Sequence, residues 1–169
     1  MSTRTELPPP APLPVLPTGG DGPMGPHGSG CFGCGPEHPS GLHLAFVRTG
    51  DVIRATVHLG KRFQGAPGLA HGGIVSTILD DLSGAVPVAL GQRAVTAKLE
   101  VDFTAPVLLG RDLVAEAWLE TFEGRKIRIV SRLLDDGRVL AVGRALFLTV
   151  PREHFAGPAA SASASSIAP

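Results

Sequence analysis

One stretch limits the possible folds more than any other. Residues Ala70 to Val86, AHGGIVSTILDDLSGAV, have the length and apolar content of a core helix, while the rest of the central region is patterned for strands. Residues 52–59 alternate, with Ile53, Ala55, Val57 and Leu59 on one face and Arg54, Thr56 and His58 on the other. Residues 42–47 precede them across Arg48-Thr49-Gly50-Asp51, a hairpin signal. Four more strands are expected after the helix, at 93–103, 111–122, 125–135 and 138–150. The last three are joined by Glu123-Gly124 and Asp136-Gly137, both read as two-residue turns. In 93–103, Ala97, Leu99, Val101 and Phe103 alternate with Thr96, Lys98, Glu100 and Asp102. One helix can cover six strands only if the sheet wraps around it. The expected class is α+β, a curled six-stranded antiparallel sheet around one long central helix.

The helix has two unlike faces. At about 100° per residue, Ile74, Val75, Ile78, Leu79, Leu82 and Ala85 fill an apolar arc. Gly73, Ser76, Thr77, Asp80, Ser83 and Gly84 fill the opposite one, with Asp80 at its centre and Asp81 at the border. A solvent-facing helix would normally carry Lys, Glu or Arg there. Small residues imply instead that a backbone or a ligand comes close, since interior glycine costs about 0.5–1 kcal/mol relative to alanine. The plainer alternative is that Asp80 bonds neighbouring Ser or Thr in a packed helix. At the helix start, His71-Gly72-Gly73 offers N–H groups without intrahelical partners at the positive end of the dipole. Such an end suits an oxyanion or a polarised carbonyl.

Composition sets the outer limits. Lys+Arg and Asp+Glu are both 15, so the formal net charge is zero, which argues against a nucleic-acid partner. No apolar run approaches the roughly 20 residues that span a bilayer, so no membrane association is expected. Prolines interrupt LPPPAPLPVLP too often for a signal peptide, and the expected location is cytoplasmic. Residues 1–30 hold half of the 16 prolines and read as a disordered Pro/Gly-rich arm. Residues 156–169 read as a disordered Ala/Ser-rich tail. The folded unit expected between them is 31–155.

The segments FQGAPGLAHGGIVSTILDDLSG and VTAKLEVDFTAPVLLG together resemble the hotdog-fold acyl-CoA thioesterases, in the group related to phenylacetyl-CoA thioesterase. CFGCGPEHPSGLHL is similar to the leading segment of some members, and the likeness covers about residues 31–150. It implies an enzyme that hydrolyses a small aryl- or fatty acyl-CoA to acid and CoA. It also implies a homodimer or homotetramer with sheets joined edge to edge and active sites at the subunit seam. Carried over, Asp80 is the general base or nucleophile and Gly73 the backbone donor to the thioester oxygen. His71 shapes the loop, with Gly72 beside it, and Thr96 orients the water or the carboxylate. Asp81 is the rival acid. Some relatives use an Asn in the loop before His-Gly-Gly; this chain has no Asn at all, so Gln64 is the expected substitute. Arg125, Lys126 and Arg128 of the EGRKIRI hairpin are the expected holders of the CoA phosphates. No cofactor is implied. Two other functions stay open, a non-catalytic acyl-CoA-binding hotdog protein and a hotdog dehydratase or hydratase.

Two cysteines exclude a disulfide framework. Cys31 and Cys34 with His38 and His43 could supply four zinc ligands, but the spacings are irregular and Pro36 and Pro39 stiffen the loop. The expectation is a structural turn with buried thiols and no metal, with zinc or a redox pair as alternatives. His27, His58 and His154 read as arm, strand-surface and tail positions.

Overall fold

The computed structural model describes residues 6–13 and 20–155, so the tail expected over 156–169 lies outside the described residues. Seven strands form one antiparallel sheet: β1 (Gly22–Pro23), β2 (Val47–Thr49), β3 (Val52–His58), β4 (Ala94–Phe103), β5 (Asp112–Glu123), β6 (Lys126–Asp135) and β7 (Arg138–Thr149). Their order is β1-β2-β3-β5-β6-β7-β4. The helix α1 (Gly72–Ala89) lies against β3 to β7. The expected curled sheet around one helix is therefore present, with one more strand than the six expected. That strand is β1, two residues of the arm that pair with β2 as Gly22↔Arg48 and Pro23↔Val47.

The apolar arc of α1 is what the sheet closes on. Val75, Ile78, Leu79, Leu82 and Val86 are all at most 1% exposed. Each such side chain contributes about 1.5–3 kcal/mol relative to an exposed one. The strand face predicted by alternation, Ile53, Ala55, Val57 and Leu59, is buried with them. Gly143 of β7 lets the helix approach, because a Cβ there would overlap the Ser131 hydroxyl and crowd Leu79. Ser83, placed on the polar arc by the wheel, is buried, and its hydroxyl donates to the Leu79 carbonyl at 2.6 Å. The helix continues past Val86 to Ala89, and Gly91 (φ 68°) turns the chain away in the left-handed conformation that glycine adopts freely.

Two local expectations shift and one holds. The strand expected at 42–47 begins only at Val47. Leu42 and Leu44 instead donate to the Phe32 and Gly33 carbonyls, both at 2.9 Å, and His43 (φ 53°) breaks the extended run. The first tight turn is Gly124-Arg125, one residue later than Glu123-Gly124, because Glu123 pairs with Lys126. Gly124 (φ 57°) then takes the first turn position, where a positive φ is required. Asp136-Gly137 falls where expected, both residues at positive φ.

The sequence reads the arm as unstructured, yet Leu7, Ala11, Leu13 and Met24 pack against buried hydrophobic side chains of the folded unit. Leu13 is 5% exposed, and its amide and carbonyl bond Asp51 Oδ1 and Arg48 Nη2. The Trp118 indole donates to the Pro8 carbonyl at 3.0 Å. Trp118 packs with Val130 and Val142 in a small second cluster that Leu7 helps to cover. Apolar surface on the outer side of the sheet is what gives the proline-rich arm a place to bind. Among the described residues no helix is long and apolar enough to cross a membrane.

Candidate active site

The loop that leads into α1 is held by backbone pairing. Gln64 bridges to Ala70, the His71 amide donates to the Phe63 carbonyl at 2.8 Å, and Gln64 Oε1 accepts from the Gly68 amide at 3.1 Å. His71 then caps the helix, its Nδ1 accepting from the Gly73 amide at 2.9 Å. The amide assigned to the thioester oxygen thus already has a partner, one that a ligand would share or displace. Gly72 lies next to the Phe103 ring, within ordinary contact of an added Cβ.

Two turns further along, Asp80 meets Thr96, whose hydroxyl donates to Asp80 Oδ1 at 3.0 Å. Simple alternation along β4 puts Thr96 on the face of Lys98, Glu100 and Asp102, away from the helix. A β-bulge between Thr96 and Lys98 corrects this. The extra residue reverses the facing, so Thr96 points toward α1 on the side where Leu99 and Val101 pack against the core. Beyond the bulge, Lys98 pairs with Glu100 at 2.8 Å and Asp102 with Arg144 at 3.1 Å.

Asp80, Thr96, Asp81, Gly84, Arg93 and Arg152 are among the residues lining a cavity of about 880 Å³. Burial raises the Asp80 pKa above the ordinary aspartate value. The negative charge of Asp81 adds to the rise, while the Thr96 hydrogen bond and the charge of His27 oppose it. A carboxylate so placed is a stronger base than one in open water.

Gly84 has a different neighbour from the one expected. The room it leaves is filled by the His27 ring of the arm, whose Cε1 and Nε2 lie 3.0 Å from where a Cβ would stand. The sequence marks His27 only as an arm position. Its Nδ1 is 3.1 Å from Asp81 Oδ1. Burial alone would lower its pKa, but the bonded, negatively charged Asp81 more than reverses this and raises it to about 9. Cys31 and Cys34 converge on the same point. The Cys31 thiol donates to Asp81 Oδ1 at 3.3 Å, and Cys34 Sγ is 3.2 Å from His27 Nδ1. Burial pushes the Cys34 thiol up to about 12. The histidines first considered with these cysteines are engaged elsewhere: His38 Nδ1 accepts from the Ser40 amide, and His43 Nδ1 bonds the Gly35 carbonyl.

The hairpin cations stand apart. Arg125 donates twice to the Thr149 carbonyl, and Lys126 and Arg128 are exposed on the face of β6 opposite buried Ile127 and Ile129. None of the three lines the cavity, whose lining includes Arg93, Arg152 and His27. The two arginines escaped sequence reading because they flank β4 and β7 outside any motif. The signal for His27 was present in Gly84, but nothing in the sequence said which residue would fill the gap.

The model of the thioesterase superfamily matches residues 67–146. Acyl-coenzyme A thioesterase THEM4 of Bos taurus is 32% identical over 127 residues, which are 72% of this chain and 52% of that protein. The chain spans about half the length of the curated relatives it matches. Among solved structures, a thioesterase superfamily protein is similar with a TM-score of 0.68 and 29% identity, over 71% of this chain and 60% of its own. A Streptococcus mutans UA159 protein bound to acetyl CoA shares the fold at a TM-score of 0.57 and 19% identity, over 59% of this chain and 82% of its own.

Proposed function

The chain belongs to the hotdog-fold thioesterase superfamily, and from that membership we propose that it hydrolyses acyl-CoA thioesters with Asp80 as the catalytic carboxylate. The observation that carries the reading is Asp80 itself: a partly desolvated carboxylate, oriented by the Thr96 hydroxyl at 3.0 Å, in the wall of a cavity of about 880 Å³.

In this reading Asp80 takes a proton from a bound water as the water oxygen attacks the thioester carbon. The carbonyl oxygen becomes an oxyanion, the C–S bond breaks, and the departing CoA thiolate takes the proton back. Water balances the reaction, giving acid and thiol. A direct attack by Asp80 would pass through an anhydride on the same atoms. Relatives named acyl-coenzyme A thioesterase support the substrate class. Arg93 and Arg152, which line the cavity, are better placed for the CoA phosphates than Arg125, Lys126 or Arg128.

The oxyanion donor is proposed to come from a second copy of the chain. Gly73 and Asp80 are seven residues apart on one helix, about 10 Å along its axis, too far for both to hold one carbonyl. β4 is an edge strand with Phe103 55% exposed, which supports edge-to-edge joining of two sheets. The test is turnover of an acyl-CoA panel, aryl to long-chain, followed with a thiol reagent for wild type and Asp80→Asn. Hydrolysis by wild type and its loss in the variant are expected. A wild type that binds acyl-CoA without turnover would leave a binding protein instead.

A further inference from the structure

We propose that His27, Cys31, Cys34 and Asp81 form a zinc site that pins the N-terminal arm to helix α1 beside Asp80. This reverses the expectation of a metal-free turn and does not rest on the hydrolytic reading, because metal content is measured without any substrate.

Four donor atoms of the right kinds meet at one place, all within 4.8 Å of one another. Zinc bonds to sulfur of about 2.3 Å and to nitrogen or oxygen of about 2.0–2.1 Å define a tetrahedron with edges of roughly 3.3–3.8 Å. The observed separations are 3.1 Å from His27 Nδ1 to Asp81 Oδ1, 3.3 Å from Cys31 Sγ to Asp81 Oδ1, and 3.2 Å from Cys34 Sγ to His27 Nδ1. These are close to the edges of that tetrahedron, slightly contracted.

Hydrogen bonds alone serve the cluster badly. His27 Nδ1 carries at most one hydrogen. If it donates that hydrogen to Asp81, it cannot accept from the Cys34 thiol; if it accepts from Cys34, it turns a lone pair toward the carboxylate. Asp81 Oδ2 is buried and has no hydrogen-bond partner among the described residues. A cation at the centre removes the first conflict, because His27 Nδ1, both sulfurs and Asp81 Oδ1 would all turn lone pairs toward it, with the two thiols releasing their protons to solvent as it binds.

The surrounding chain is shaped for this approach. A Cβ at Gly33, inside the Cys31-x-x-Cys34 loop, would overlap the Asp81 carboxyl group, so only glycine lets the loop and the helix meet. The loop is braced by Gly35 donating to the Cys31 carbonyl at 2.8 Å and Glu37 to the Ser29 carbonyl at 3.0 Å. Two thiolates, an imidazole and a carboxylate select zinc over magnesium or calcium, which take oxygen ligands. Four protein ligands close the shell, so the role is structural, and Asp80 stays outside it.

The experiment is elemental analysis of the full chain purified without chelator, followed by cobalt(II) titration of the stripped, reduced protein. One zinc per chain is expected, with a thiolate-to-cobalt band in the near ultraviolet and visible bands of tetrahedral cobalt. Cys31→Ser plus Cys34→Ser should abolish the thiolate band. Asp81→Asn and His27→Gln should each weaken zinc binding by roughly tenfold or more, at least the loss caused by removing a supporting group, and His38→Ala should leave it unchanged. Stripping the metal should also raise hydrogen exchange over residues 24–34. If the double-serine variant does not fold, the cobalt spectrum of wild type decides alone. Wild type without zinc and without the thiolate band overturns the proposal, as does a Cys31–Cys34 disulfide whose reduction restores no cobalt binding.

Discussion

Asp80 and Asp81 are consecutive residues of one helix, yet α1 turns them about 100° apart and into different surroundings. Asp80 faces a cavity with one hydroxyl, Thr96, to hold it. Asp81 faces the arm, where an imidazole and the Cys31 thiol crowd one of its oxygens and the other is sealed off. The first has room for a substrate and few partners, as a reacting group needs. The second borders the same cavity but has its partners gathered on Oδ1, as an anchoring group needs. Residue type is the same for both, and their positions along the chain are adjacent. What separates them is which distant segment arrives at each side of the helix: a bulged strand for one, a cysteine loop for the other.

The largest break in this contrast should come from Asp80→Asn, with acyl-CoA turnover falling roughly 10²–10⁴-fold, the usual contribution of a general base. Circular dichroism should be unchanged. Asp81→Asn is the matched comparison, and its turnover should stay well above that of Asp80→Asn; equal losses would mean the two roles are not divided as described. Thr96→Val should cost roughly 10-fold in kcat, the worth of one hydrogen bond to a charged group, and Thr96→Ser should restore most of it.

Gly33→Ala tests the anchoring side without touching a donor atom. The added methyl meets the Asp81 carboxyl group, so thermal stability should fall by about 1–3 kcal/mol, the range for overpacking. An unchanged melting temperature would show that the loop can retreat at no cost.

Glu116 supplies the smallest effect and a third kind of carboxylate. It is 8% exposed and bonded to Arg54 at 2.8 Å and Arg132 at 2.7 Å, and it does not line the cavity. Burial would raise its pKa, but the two arginine hydrogen bonds and charges outweigh burial and hold it below the ordinary glutamate value. A depressed folded value means its stabilisation is complete above the ordinary glutamate range and is lost as pH falls through the folded value. Glu116→Gln should lower stability near neutral pH by about 1 kcal/mol, since both guanidiniums keep water contact. It should also flatten the acid limb of the stability curve and leave turnover unchanged.

Much of this was legible from the residues. The alternation of 52–59 and the turn at Asp136-Gly137 follow from local periodicity and from turn chemistry. Asp80 stood out because a lone carboxylate on a surface of small side chains is unusual for a solvent-facing helix. Other features were illegible for one common reason, that each depends on a contact between segments distant in the chain. His27 and Asp81 are 54 residues apart, so no local pattern joins them. His38 lies as near the cysteines in sequence as His27 does, but the loop spends it, and His43, on its own backbone. Arg93 and Arg152 reach one cavity from the ends of two paired strands.

The sequence by itself determined that one amphipathic helix would lie inside a curled antiparallel sheet, because hydrophobic period is a property of consecutive residues. It also determined which helix face would be starved of large side chains. Only the tertiary structure decided what those faces meet. A single extra residue in β4 swings Thr96 from the outer face to Asp80, and the arm folds back to set His27, Cys31 and Cys34 against Asp81. Bulge placement and arm docking are settled by packing against remote partners, and no local run of residues encodes the partner.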